Sequence, residues 1–319
     1  MTRLMKKIFL LTAALLILCS LSAQNSINLR LNPEKNKPYR FAQLSEQTVL
    51  QTVNGNQQTV ESKVKYVVSI KMMDATASFI VAEIRFDTIS IKTNTMGKTV
   101  NMTSSADGDI KSKETSDIMS YVLNRLSKNP VYAKIDYTGK VTDIINGKML
   151  SDMIMKDTNA VTVTGPMGSA IKAQIGNQVS SNTLKTMVEG FTHFLPGKEI
   201  SGGDSWTVSE STSSGGMSLD ISTVFHLDGT TDDNANLSAE VSIKATPNAA
   251  PMKAGAGTIT YDDIKGLGKS TLVVDRRTGL MIESGSQTRI TGNLGFSMPG
   301  MSMQIPMDIT SSSKIAAIK

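Results

Sequence analysis

The sequence predicts a β-rich α+β protein: a large curved antiparallel sheet, half-barrel or barrel-like, with a helical middle segment packed on one face. Two observations predict it. Apolar and polar residues alternate over long stretches in the first and last parts of the chain, which is the period of strands with one face in water. Over residues 116–128 and again over 146–195 the apolar spacing changes to three and four, which is the helical period.

The first residues predict export. Arg3, Lys6 and Lys7 precede an apolar run over residues 8–18, and the small residues Ser22 and Ala23 follow it. This order is typical of a signal peptide over residues 1–23, cleaved after Ala23. Lipoprotein processing at Cys19 is the alternative, but Leu18 is a poor residue before a lipidated cysteine. The run is too short for a transmembrane helix, so we expect a protein of the periplasm or the extracellular space.

Charge and cysteine content exclude further classes. The formal net charge is +5, and residues 1–23 carry three basic residues and no acid, which leaves +2 for the remainder. No basic block follows, so nucleic acid is not an expected partner. The single cysteine lies in the leader, and the exported chain therefore has to fold on its core without disulfides.

Residues 24–145 are predicted to form an N-terminal β part with one helix. A strand from residue 39 to residue 53 reaches Asn54-Gly55, a strong hairpin signal, and an alternating return strand follows. Further strands are expected over 77–91 and 92–103, with a break at Met96-Gly97. A helix over 116–128 would begin at Ser116 as N-cap and end before Pro130, and a hairpin over 131–145 would turn at Asp136–Gly139.

Residues 146–195 are predicted as the helical middle, and residues 196–319 as a C-terminal β part. A short helix over 147–156 would be followed by a longer helix or helix pair over 169–195. Pro196-Gly197 ends this region, and every later segment has the strand pattern. We expect 24–319 to form one integrated unit, with Trp206 buried where the first C-terminal strand joins the core.

No motif predicts catalysis, a cofactor or a metal. Gly268-Lys269-Ser270 resembles the end of a phosphate loop, but the earlier glycine is missing and a strand pattern follows. His193 and His226 are far apart in sequence, and no cysteine remains beside them, which argues against zinc. His226 is expected on an exposed strand face and His193 on a helix flank. We therefore predict a non-catalytic protein without a cofactor.

The methionines suggest a different role. Nineteen are present, many of them in the helical middle and the last predicted strand. The methionine side chain is flexible and adapts to irregular surfaces. The interface between sheet and helices is therefore predicted to be either a solid core or a cavity for a lipid or another hydrophobic ligand. The cavity would be lined by Ile171, Ile175, Met187 and Met303. A surface or structural protein-interaction module without a small ligand is the alternative function.

One segment resembles a known family. Residues 196–206 read Pro-Gly-Lys-Glu-Ile-Ser-Gly-Gly-Asp-Ser-Trp, similar to the P-x-K-x-V-x-x-G-D-x-W segment of a family of uncharacterised exported Bacteroidota proteins. Ile200 replaces the valine, and one extra glycine lengthens the loop. The Tyr39-Arg40-Phe41 strand, the Asn54-Gly55 hairpin and the Asp136–Gly139 turn are also similar. The resemblance implies an exported, β-rich domain of unknown function and no particular activity.

Overall fold

A computed structural model describes residues 26–53, 55–214, 217–247, 249, 251–254, 257–298 and 300–319. The predicted signal peptide lies outside these residues. The described chain contains strands β1 (Ile27–Asn28), β2 (Pro38–Val53), β3 (Asn56–Ala75), β4 (Phe79–Thr95), β5 (Lys98–Thr103), β6 (Val131–Asp136), β7 (Val141–Ile144), β8 (Glu199–Ile200), β9 (Ser205–Ser214), β10 (Met217–Thr230), β11 (Asn234–Ala245), β12 (Met252–Ala254), β13 (Gly257–Asp275), β14 (Met281–Met298) and β15 (Met301–Ile318). Its helices are α1 (Thr115–Lys128), α2 (Gly147–Asp157), α3 (Gly165–Gln178) and α4 (Ser181–Thr192), with a 3-10 turn at Thr158–Ala160.

One antiparallel sheet runs through both β parts of the chain. Its strand order is β7-β6-β4-β3-β2-β15-β14-β13-β11-β10-β9, with β5 beside β4 and β12 beside β13. The last strand pairs with the first long one, and Ser313 lies opposite Ser45. Strands β1 and β8 form a separate pair. The β-rich α+β architecture predicted from the alternation is confirmed.

The predicted turns and helices are largely observed. Strands β2 and β3 pair as far as Val53 and Asn56, as the hairpin signal predicts, and β4 ends just before Met96. Helix α1 begins one residue earlier than predicted, with Glu114 rather than Ser116 at the N-cap position. The predicted helical region over 169–195 is a pair, α3 and α4. It divides at Ser180, whose hydroxyl oxygen accepts a hydrogen bond from the Thr183 N–H at 3.1 Å.

The sheet must curve, because the last turn of α4 and the residues just after it contact two strands that are far apart in the strand order. Phe191 packs on Phe41 of β2 with ring centroids 6.0 Å apart, and the Trp206 indole of β9 donates to the Phe194 carbonyl at 3.0 Å. Six strand-to-strand steps separate β2 from β9, or about 29 Å in a flat sheet. Phe191 and Phe194 are only three residues apart. The sheet is therefore curved around the end of α4 and stays open, as in a half-barrel.

Three apolar clusters lie on the helix-bearing side of the sheet. The first joins strands from both halves of the sheet to α1 and α4, and includes Phe41, Phe86 and Trp206. The second joins the helices to one another, through residues such as Ile118 and Ile154. The third contains only strand residues, among them Leu219, Ile243, Ile264, Ile290, Met307 and Ile309. The four helices therefore cover only part of this face.

The segment from Ile27 to Asn32 forms hydrogen bonds with both halves of the sheet. The Leu31 N–H donates to the Tyr137 carbonyl at 3.0 Å, and the Asn32 N–H donates to the Thr278 carbonyl at 2.7 Å. These carbonyls belong to the β6–β7 and β13–β14 turns, one in each half of the sheet. Leu29 and Leu31 are 1% exposed, so the segment is part of the core.

Candidate functional site

A cavity of about 330 Å³ lies between the C-terminal end of α4 and the curved sheet. Its floor is apolar and is formed by Phe194, Val208, Phe225, Leu272, Met281 and Ile315. Its polar wall is formed by Gln43, Thr223, Ser270, Ser284, Ser286 and Ser313. The volume is at the lower end of the range for small-molecule sites.

The apolar floor and the polar wall of the cavity lie on the same face of the sheet. On β14 and β15, Ser284 lies opposite Ile315 and Ser286 lies opposite Ser313. Directly opposed residues share a face in an antiparallel sheet, so the apolar core gives way to a hydroxyl-rich band along this face. The Ser45 hydroxyl donates to the Ser313 oxygen at 2.9 Å within that band. A ligand in the cavity would meet apolar surface on one side and hydroxyl groups on the other.

Three ionisable side chains also line the cavity: Glu189, His193 and Glu210. Glu189 lies four residues before His193 at the end of α4, and Glu210 faces them from β9. One ligand-capable atom from each of the three residues lies within 4.8 Å of the others. Glu189 lies in the last turn of α4 and His193 is its C-cap residue, so both lie at the same end of the helix. The curvature of the sheet brings the third.

Burial disfavours the charged form of all three groups. It raises the pKa of Glu189, although the Val141 N–H at 2.9 Å and Lys185 at 3.9 Å partly oppose this effect. It raises the pKa of Glu210, for which the described residues provide neither a hydrogen bond nor an ion pair. It lowers the pKa of His193, and the nearby Lys140 lowers it further. His193 Nδ1 is buried and has no hydrogen-bond partner among the described residues.

The raised pKa of Glu210 predicts a stabilising substitution. The folded state binds more protons than the unfolded state between the unfolded and folded pKa values, so stability falls as pH rises through that window. We expect Glu210→Gln to raise the midpoint of thermal unfolding in EDTA near neutral pH. The difference should vanish below the unfolded pKa of about 4.3. Glu240→Gln, on an exposed position of β11, is the matched control and should change little. A lower unfolding midpoint for Glu210→Gln near neutral pH would contradict a raised pKa for the Glu210 carboxyl.

The four residues predicted to line one cavity lie at three separate places. Ile171 and Ile175 are buried in the second cluster, among the helices. Met187 packs on the first cluster. Met303 lies in β15 near the β14–β15 turn, opposite Phe296 of β14, and belongs to neither of these clusters. The core residues near this end of β14 and β15 belong to the third cluster, which contains no helix residue. None of the four lines the cavity beside α4.

The second histidine lies on the opposite face of the sheet. His226 Nδ1 and the Ser205 hydroxyl are 2.7 Å apart, in an exposed pair. A hydrolytic dyad would need a carboxylate to orient the other ring nitrogen. The described residues place none in hydrogen-bond contact with it. Open grooves of about 630 and 520 Å³ lie on this same face, lined by exposed residues such as Lys269 and Gln287.

Sequence reasoning missed the two glutamates. Two distant histidines without a cysteine argue against zinc only if carboxylate ligands are left out, and glutamate also binds zinc. The Glu189-x-x-x-His193 spacing was a usable signal, because i,i+4 residues share a helix face. Nothing local identified Glu210, which lies at an ordinary inward position in an alternating strand.

A family model described as "Family of unknown function (DUF6263)" matches residues 76–281. The chain belongs to the DUF6263 family. The match covers strands of both halves of the sheet and the whole helical middle, including Glu189, His193 and Glu210. No curated protein shows significant similarity to this DUF6263 chain. Among the residues described, no helix has the length and apolar character to span a membrane.

Several solved structures resemble the DUF6263 chain at low sequence identity. A lipovitellin structure described by its lipid–protein interactions has a TM-score of 0.49 and 8% identity, covering 90% of this chain and 25% of its own. The COG4313 outer membrane channel of Pseudomonas putida F1 has a TM-score of 0.26 and 6% identity, with coverages of 91% and 98%. Pseudomonas aeruginosa OccK9 has a TM-score of 0.24 and 6% identity, with coverages of 89% and 100%. The DUF6263 chain spans about a quarter of the lipovitellin chain. These low scores support no inference about function.

Proposed function

We propose that this protein is a non-catalytic binding protein of the cell envelope that takes a small, largely hydrophobic ligand into the cavity beside α4. The cavity itself carries the proposal, because it combines a buried apolar floor with a few converging polar groups, as binding sites for small molecules do. The apolar body of the ligand would contact Phe225, Leu272 and Ile315. Its polar end would face the serines and the Glu189–His193–Glu210 group. Export is predicted from the N-terminal leader.

The absence of catalysis is part of the proposal. The exposed Ser205–His226 pair has no orienting carboxylate in hydrogen-bond contact among the described residues. The Glu189–His193–Glu210 group has no serine or cysteine nucleophile bonded to it in the described part of the chain. Nucleophilic catalysis needs a nucleophile within hydrogen-bond reach of its base. Ligand binding needs only the apolar floor and the polar wall of the cavity.

Filling the cavity tests the proposal. We expect Ser286→Trp to weaken binding of the uncharged fluorophore N-phenylnaphthylamine at least ~10-fold, equivalent to about 1.4 kcal/mol, because the indole occupies the space beside Leu272 and Ser313. Gln287→Trp is the matched control, since the next residue of β14 faces the opposite side and is exposed. Fluorescence titration in EDTA gives both affinities. Equal binding by wild type and Ser286→Trp would remove the cavity as the site.

A protein-interaction module without a small ligand is the second candidate. Met96 at the β4–β5 turn is 76% exposed, and Met301 at the β14–β15 turn is 48% exposed. Both side chains lie at strand turns, where a partner protein would have access to them. Native mass spectrometry of the protein isolated from its own envelope separates the candidates. A co-purifying small molecule that is lost in Ser286→Trp supports the first, and a bare chain supports the second.

A further inference from the structure

We propose that Glu189, His193 and Glu210 bind one divalent transition-metal ion of the zinc class in the wall of the cavity beside α4. The ligand atoms converge from two elements: Glu189 and His193 come from the end of α4, and Glu210 comes from β9. Two ligands four residues apart at a helix end, completed by a residue from another element, can hold such an ion. The coordination positions left free would face the cavity.

The distances suit an unloaded site that closes on an ion. Ligands of one tetrahedral zinc ion lie about 3.4 Å apart when each bond is about 2.1 Å. The three atoms lie within 4.8 Å of one another, so side-chain rotations have to close a gap of at most about 1.4 Å. Glu210 can supply much of this movement, because the described residues hold it by no hydrogen bond or ion pair. Glu189 is less free, since the Val141 N–H already holds one of its oxygens at 2.9 Å.

The electrostatics point to a cation. The Glu189 side chain is only 9% exposed, and its ion-pair partner Lys185 Nζ is 3.9 Å away. The described residues give Glu210, beside it on β9, no cationic partner. The buried, unpartnered His193 Nδ1 also lacks the partner that such a nitrogen requires. A dication would neutralise the negative charge of two closely spaced carboxylates and would give the His193 ring nitrogen a partner.

The ligand set selects the class of metal. Two carboxylates alone would suit calcium or magnesium, which take oxygen ligands. An imidazole in the set favours zinc and its neighbours in the first transition row. Three protein ligands leave at least one position open, as in sites where a metal also binds a small molecule. The inference rests on the proposed function in this respect, because that position would hold the polar end of the cavity's ligand.

Calorimetric titration of the EDTA-treated, dialysed protein with zinc chloride tests the site. We expect one equivalent of Zn²⁺ to bind to wild type, and its affinity to fall at least ~10-fold in His193→Ala and in Glu210→Gln. His226→Ala is the matched control, because it removes the second histidine, on the opposite face, and should bind zinc as wild type does. Glu210→Gln is expected to be at least as stable as wild type, so loss of binding there cannot be attributed to misfolding.

Cobalt substitution gives a second readout. Co²⁺ in a site of low coordination number should produce visible absorption bands in wild type and His226→Ala that are lost in His193→Ala. Zinc binding that survives both His193→Ala and Glu210→Gln, or that is lost in His226→Ala, would overturn the assignment, as would no binding by wild type. The fluorophore titration in EDTA is independent of metal. If it succeeds while zinc fails to bind, the cavity function stands and only the metal site is wrong.

Discussion

We expect Trp206→Ala to lower the free energy of unfolding by about 4 kcal/mol, near the middle of the range for removing a buried large aromatic side chain. Trp206 is 7% exposed and stacks on Phe225 with ring centroids 5.6 Å apart. Its indole N–H donates to the Phe194 carbonyl at 3.0 Å, which joins β9 to the turn after α4. Alanine removes the stacked ring and leaves that buried carbonyl without its donor. Urea unfolding followed by far-ultraviolet circular dichroism measures the change.

Trp206→Phe separates the two contributions. It keeps an aromatic ring against Phe225 but cannot donate a hydrogen bond, so its cost should be smaller, about 1–2 kcal/mol. A loss below about 1 kcal/mol for Trp206→Ala would contradict burial at this joint, since a cavity of that size cannot close at so low a cost. Binding of N-phenylnaphthylamine should also weaken in Trp206→Ala, because Phe225 and Phe194 form part of the cavity floor.

We expect Gly139→Ala to cost about 3 kcal/mol, the sum of a left-handed backbone penalty and a steric one. Gly139 has φ of +88°, and a β-carbon there would lie 1.7 Å from the Thr192 carbonyl oxygen at the end of α4. The Thr192 hydroxyl also donates to the Gly139 carbonyl at 2.6 Å. Neither backbone can move without separating the β6–β7 turn from the helix that forms one side of the cavity. Chemical unfolding measures the loss.

Gly55→Ala is the control for the backbone term alone. Gly55 has φ of +79°, but a β-carbon there would have no heavy atom within 4 Å. Its cost should therefore be only about 1–2 kcal/mol. Equal losses for the two variants would show that the contact between the β6–β7 turn and α4 contributes nothing beyond conformational strain. A larger loss for Gly139→Ala that is accompanied by weaker fluorophore binding would link this contact to the cavity.

The sequence determined the elements because their signals are local. Period-two alternation predicts the long strands, the Asn54-Gly55 and Met96-Gly97 pairs mark their turns, and the change to helical spacing after residue 116 predicts α1. Burial of the single tryptophan followed from the same pattern and is confirmed. The β-rich α+β class could be predicted from these signals, because a sheet with one apolar face and amphipathic helices beside it have to pack together.

Only the tertiary structure decided where the site lies. The order β2-β15-β14-β13-β11-β10-β9 and its curvature bring Glu210 to Glu189 and His193, although no local pattern connects that strand position with α4. Met303 lies near the β14–β15 turn, whereas Ile171 and Ile175 belong to the second cluster and Met187 packs on the first. Alternation specifies which side chains face the core. Strand order and curvature specify which of them meet, and these depend on pairings between residues far apart in the chain.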